Sequence, residues 1–249
     1  MALTVKNVTV FYSHSASNIG DIAINRGSQA LINSAFPDCQ INFVSLPTGN
    51  SKFHDDMRAS LLPAGNLRHT DFARRSDKIF DYVSDTDSFL TECGAQDADL
   101  VLINSGEHLF NYAGGNNAES LFWRTLPVYA AKRAGKSAVI LPSTFGPFED
   151  THSTALVRSI VGMADGAAAR EPQSLRLQSE LIGSTDNPVL PDPAFFITPQ
   201  SAGKDVRAKP VTLGLSMRLE TWGIRLSAAD RRSQKALARG SKTSLAEVF

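Results

Sequence analysis

Cysteine is scarce in this chain: Cys39 and Cys93 are the only two in 249 residues. They stand far apart and at no metal-ligand spacing, which argues against a zinc site or a disulfide framework and leaves both as reduced structural residues. Net charge is missing too. Lysine plus arginine equal aspartate plus glutamate at 25 each, so the chain carries no basic footprint for nucleic acid, and an acidic ligand would have to meet a local cluster of arginines. No stretch approaches the ~20 apolar residues of a membrane helix. The opening Met-Ala-Leu-Thr-Val-Lys lacks the basic segment and apolar run of a signal peptide, so the expected location is cytoplasmic. The glycine spacings of dinucleotide-binding and phosphate-binding loops are absent as well.

What is present is a core-forming composition, 42% hydrophobic and 20% charged, in an alternating strand and helix pattern. That alternation predicts an α/β fold with a Rossmann-like parallel sheet covered by helices on both faces. The first unit is strand Val8–Tyr12, a polar turn, then a helix reading Ile22–Ile32. Strand Cys39–Ser45 follows, and then Leu46–Thr70, an irregular insertion. Helical patterning resumes near Asp71 and Asp77–Val83. The run Ala98–Asn104 is apolar enough for a buried parallel strand. A helix over about Ala118–Ala134 is stopped by Gly135. Strand Ser137–Pro142, a helix near Ser153–Met163, strand Gly166–Ala169 and a helix through Leu177–Leu181 complete the series. Residues 1–197 are thus expected to form one Rossmann-like domain. Residues 198–210, rich in Pro, Ser, Gly, Ala and charge, read as a linker. Residues 211–249 read as the beginning of an incomplete second domain, since one strand and one weak helix cannot make a core.

Candidate functional residues gather where strands give way to turns, the usual ligand edge of an open α/β sheet. Asn18, Gly20 and Asp21 stand at the first helix start, where free N–H groups and the helix dipole favour an anion; the plainer reading is a helix cap. Ser105 and Gly106 end a buried strand, and Gly106 lets a ligand or another backbone approach closely. Glu107 and His108 are the acid–base candidates by position, against a structural role for a lone histidine. Phe145–Phe148 reads as a shaped turn that also walls a pocket. Arg170, with Ser174 one turn further on, ends a strand where a guanidinium can hold a carboxylate or phosphate through two N–H bonds; its plainer role is an ion pair with Glu171 or Asp165. Asp192 braces or caps a turn. Arg218 ends the strand after the linker.

Read together, these segments resemble the polysaccharide pyruvyl transferase family. The matching pieces are Asn18-Ile19-Gly20-Asp21 with Ala23, Ile24, Gly27 and Leu31; Asp99 through Phe110; and Phe145-Gly146-Pro147-Phe148. They continue with Ala169-Arg170-Glu171 and Ser174-Leu175, Asp192-Pro193-Ala194-Phe195, and Gly214-Leu215-Ser216-Met217-Arg218. The resemblance implies a glycosyltransferase-B-like architecture of two Rossmann-like domains. It also implies transfer of a pyruvyl group from phosphoenolpyruvate to a sugar as a cyclic ketal, with no cofactor and no metal. Its partners are then phosphoenolpyruvate and a saccharide acceptor, with no nucleic acid and no transmembrane segment. On that reading Arg170 and Arg218 take the donor's anionic groups, Asn18, Gly20 and Asp21 line the cleft, and Glu107 contacts sugar hydroxyls. The chain would be a transferase provided its second domain is complete. Two other readings stand beside it: a non-catalytic sugar- or partner-binding remnant of the fold, and a nucleotide-sugar glycosyltransferase, since fold does not fix function.

Overall fold

Among the described residues of the computed structural model, seven strands, all parallel, build a single sheet. The structure describes residues 4–13, 19–45, 67–71, 76–111, 117–183 and 186–197. The linker and second domain expected from residue 198 onward therefore lie outside the described residues, as do Asn18 and Arg218.

Strand β1 (Asn7–Phe11) leads to helix α1 (Ile19–Ala35), then to β2 (Gln40–Ser45) and β3 (Leu67–Asp71). Helices α2 (Ile79–Ser84) and α3 (Thr86–Glu92) precede β4 (Leu100–Ile103) and β5 (Gly106–Leu109). Helix α4 (Ala118–Arg133), β6 (Ser137–Phe145), α5 (Thr151–Val161), β7 (Gly166–Ala169) and α6 (Pro172–Ile182) follow, with a 3-10 turn at Pro193–Phe196. The expected α/β class and parallel sheet are observed.

Three local expectations change. The insertion expected over Leu46–Thr70 ends in a strand: β3 pairs with β2 from Leu67 opposite Ile41 to Asp71 opposite Ser45. Helix α1 starts at Ile19, so Gly20 and Asp21 belong to its first turn. The strand expected to stop at Ser105 resumes at Gly106. Ile103 pairs with Ile140 and Gly106 with Ser143, the same step of three residues on both strands, so β5 carries on the line of β4 along β6. On its other side β6 pairs with β7. The order across the sheet is therefore β3, β2, β1, β4 with β5, β6, β7, and the direction of winding reverses between β1 and β4. The crevice outside the carboxyl ends of those two strands is where such sheets take ligands.

The period-two geometry of a strand sends alternate side chains to opposite faces, and both faces here are apolar. Val8, Val10, Ile41, Phe43, Leu100 and Leu102 pack with Ile32 of α1. Phe11, Val101, Ile103 and Ile140 pack on the other face with Tyr82, Phe89, Leu121, Trp123, Leu126 and Val157. Each fully buried side chain of this size contributes about 1.5–3 kcal/mol relative to exposure. Both cysteines are buried and free, and burial pushes the Cys93 thiol well above its usual range. No helix among the described residues is long and apolar enough to cross a membrane.

Candidate functional site

The carboxyl edge of the sheet is built from short strand ends followed at once by polar residues. At the winding reversal, the inward stripe of α1 is polar. Asn25, Ser28 and Gln29 are fully buried, and together with Ile32 they follow the i, i+3, i+4, i+7 spacing of one helix face. They meet Asn104, just past β4. The Asn104 amide donates to Asn25 Oδ1 (2.8 Å) and to the Tyr12 carbonyl (3.4 Å). Its carbonyl oxygen accepts from Ser28 Oγ (2.7 Å) and from the Ser105 N–H (3.0 Å). An amide with both ends satisfied in a dry interior fixes the spacing of α1, β1 and β4. The far side of α1 lies against the 3-10 turn. A Cβ on Gly27 would stand 1.8 Å from the Pro193 carbonyl oxygen, so only glycine permits this approach.

Tyr12 closes β1 in the left-handed region, at φ +69°, where a bulky non-glycine residue is strained by about 1–3 kcal/mol. Two features hold it there. Its N–H and that of Ser13 both reach the Val44 carbonyl, at 3.0 and 3.3 Å. Its phenol donates to the Trp123 carbonyl, the very oxygen that loses its helical partner because Pro127, four residues on in α4, has no N–H. The ring also packs 5.7 Å from that of His108. Beyond this turn, the hydroxyls of Ser13 and Ser45 are buried without a hydrogen-bond partner. They stand at the ends of neighbouring strands β1 and β2.

The other half of the edge, at β6 and β7, is fully cross-linked. Arg170 donates to Asp192 Oδ2 (2.9 Å), Thr144 Oγ1 (2.5 Å) and, more loosely, Glu171 Oε2 (3.4 Å). Asp192 also caps the 3-10 turn by accepting from the Ala194 N–H at 2.9 Å. Glu171 accepts from the Ser174 hydroxyl, which in turn accepts from the Phe145 N–H at 2.8 Å. A guanidinium has five N–H groups; three are engaged, and the side chain keeps 27% exposure.

Of the residues expected from the sequence, Gly20 and Asp21 lie in the first turn of α1, Gly20 exposed and Asp21 half-buried. Ser105 is buried, its hydroxyl given to the Pro142 carbonyl. Gly106 has φ +145°, and a Cβ there would stand 3.3 Å from His108 Nδ1. Glu107 and His108 are neighbours on a strand and point to opposite faces: Glu107 is exposed and His108 is 1% exposed. The structure thus brings Arg170 and Ser174 into one network through Glu171, and it separates Glu107 from His108. Phe145–Phe148 is a shaped turn as expected, with a cis peptide before Pro147 and with Asn111 holding the Pro147 carbonyl and the Glu149 N–H. Asn25, Ser28, Asn104 and Thr144 do not stand out in the sequence as site-building residues, and Glu171 does so only as an ion-pair partner for Arg170. The polar stripe on α1 was the available signal. Among the described residues no group of acidic, histidine or cysteine side chains could hold a metal ion.

A family model described as polysaccharide pyruvyl transferase matches residues 18–239. No curated protein matches the chain in sequence. Among solved structures the chain is similar to a candidate UDP-N-acetylglucosamine 2-epimerase from Listeria monocytogenes, at 13% identity over 76% of this chain and 45% of that one, TM-score 0.44. It is also similar to a UGT transferase from Siraitia grosvenorii in complex with UDP, at 11% identity over 54% and 27% of the two chains, TM-score 0.33. The chain spans under half the length of both.

Proposed function

Because the chain belongs to the polysaccharide pyruvyl transferase family, we propose that it transfers a pyruvyl group from phosphoenolpyruvate to two hydroxyls of a saccharide. One observation carries the reading: the family match runs over residues 18–239, from the start of α1 through the polar carboxyl edge and past Arg170. In the reaction the methylene carbon of the donor takes a proton and becomes a methyl group. Two sugar oxygens bond to the carbon that bore the phosphate. Phosphate leaves with the second hydroxyl proton, and the product is a cyclic ketal that keeps its carboxylate.

A donor with a carboxylate and a phosphate calls for fixed cationic N–H groups. Arg170 supports that role: its plane is held by Thr144 and Asp192, and the N–H groups left over remain for a bidentate contact. Glu107, exposed beside the same edge, is the acceptor-side candidate for sugar hydroxyls. Gly20 and Asp21 shape the space at the α1 start. The opposing carboxylates of Asp192 and Glu171 favour a second reading, saccharide binding without transfer, because they already neutralise the guanidinium.

Incubating the full chain with phosphoenolpyruvate and a panel of bacterial polysaccharides separates the two. Transfer predicts saccharide-dependent release of inorganic phosphate and a new ketal methyl signal in the proton NMR spectrum of the polymer. Retained phosphoenolpyruvate with an unmodified polymer, at protein concentrations where the saccharide binds, would leave only the binding reading.

A further inference from the structure

Buried polar groups without partners are rare in folded proteins and costly where they occur. Ser13 Oγ and Ser45 Oγ are two of them, on residues 1% and 0% exposed, at the carboxyl ends of adjacent strands β1 and β2. They coincide with a second cost, since the residue that delivers Ser13 is the left-handed Tyr12. Local strain and unsatisfied hydroxyls gathered at one ligand-facing edge are the mark of a site that is completed by something else.

We propose that Ser13 and Ser45 form a subsite for a neutral, hydroxyl-rich saccharide, one that holds a residue of the acceptor chain other than the ring receiving the pyruvyl group. The ligand's identity as the acceptor rests on the function proposed above. A serine hydroxyl both donates and accepts, as a sugar hydroxyl does, so each serine can complete a pair with a sugar oxygen. A phosphate or carboxylate would bring a charge that burial penalises, whereas an uncharged sugar hydroxyl pairs with each serine without one. The position along the edge matters as much as the chemistry. From β1 to β7 the sheet takes three interstrand steps, roughly 14 Å at about 4.8 Å each. Ser13 is therefore too far from Arg170 for one sugar ring to touch both, and the acceptor must be an oligosaccharide or longer.

The test uses the full chain, its Ser13→Ala and Ser45→Ala variants and the double variant. Saturation-transfer NMR and calorimetry with maltose, cellobiose, lactose, maltotriose and cellotriose give the saccharide affinity. Thermal melts without ligand give the stability, and phosphoenolpyruvate titration gives the donor affinity. The subsite predicts saccharide binding that is stronger for trisaccharides than disaccharides and weakened roughly tenfold in the double variant. It also predicts a ligand-free melting temperature that is unchanged or higher in the variants, because the orphaned groups are gone. Saccharide binding unaltered by the double variant, or no saturable binding of any of the five sugars, overturns it. Phosphoenolpyruvate binding is expected to be the same in all four proteins. Its absence from the wild type would count against the donor reading alone, and its loss only in the serine variants would reassign the hydroxyls to the donor.

Discussion

At the β6–β7 end, Arg170 engages Thr144, Asp192 and Glu171, and Glu171 takes the Ser174 hydroxyl that anchors the Phe145 N–H. At the β1–β2 end of the same sheet edge, two buried serine hydroxyls engage nothing and the turn beside them is strained. The first half is complete as it stands: the Arg170 guanidinium already faces two carboxylates, and a ligand there must use the N–H groups the network leaves over. The second half is incomplete, and its cost is recovered only when a partner arrives. Between them Asn104, just past β4, ties the Tyr12 turn of β1 to α1. A single edge thus holds a braced region and a poised one, and the difference lies in whether each buried polar group has its partner.

Substitutions can break that contrast, beginning with Asn104, which lies between the two regions on the edge. Asn104→Ala leaves Asn25 and Ser28 without their shared partner and is expected to cost about 3 kcal/mol in urea unfolding. Asp192→Ala removes both an ion-pair partner of Arg170 and the cap of the 3-10 turn. Because both side chains keep some exposure, we expect about 2 kcal/mol from the same measurement. Tyr12→Phe removes the phenol that stands in for the missing Pro127 N–H at the Trp123 carbonyl; about 1–2 kcal/mol should be lost.

A control lies at the amino edge, away from both halves. The Lys6 and Asn7 N–H groups, at 2.8 and 2.9 Å, hold the Asp99 carboxyl below the usual carboxylate range, with slight burial opposing them. A lowered folded-state value means the stabilisation is present above the ordinary pKa of about 3.9 and is lost as the pH falls through the folded value. Asp99→Ala should therefore cost up to about 1 kcal/mol at neutral pH, limited by solvent screening, with the gap to wild type closing at strongly acidic pH. The smallest effect has the opposite sign. Ser45→Ala is expected to raise the melting temperature by about 2–4 °C if the whole cost of roughly 1 kcal/mol is relieved. A drop of that size would show that the hydroxyl is satisfied in solution and would dissolve the contrast.

Strands β1, β2, β4, β6 and β7 were legible because a parallel strand buried on both faces is written in apolar residues. The edge strand β3, Leu-Arg-His-Thr-Asp, has no such run and reads as loop in the sequence. Strand β5 was hidden by Gly106 and Glu107, since its place depends on pairing with the far end of β6 rather than on its own composition. The polar residues that build the site escaped for a related reason. Asn25 and Ser28 look like the solvent face of α1 until Asn104 is known to lie across from them. Arg170 reads from the sequence as an anion clamp or as an ion-pair partner of Glu171 or Asp165; the structure gives it Glu171, while Asp165 pairs with Lys132. The bond to Asp192 joins residues 22 positions apart, and sequence spacing says nothing about such a contact. Ser13 opens a run of small polar groups that already reads as more than a cap, but that its hydroxyl and that of Ser45 lack a partner is a property of the folded surroundings.

The central claim is that this edge accepts phosphoenolpyruvate through Arg170. Calorimetric titration of phosphoenolpyruvate into the full chain and into Arg170→Ala, whose fold is checked by circular dichroism, tests it most directly. The account predicts saturable binding by the wild type and at least about a tenfold loss in the folded variant, the size of one charge-assisted bidentate contact. Equal affinities in the two proteins, or no saturable binding by the wild type, would contradict it.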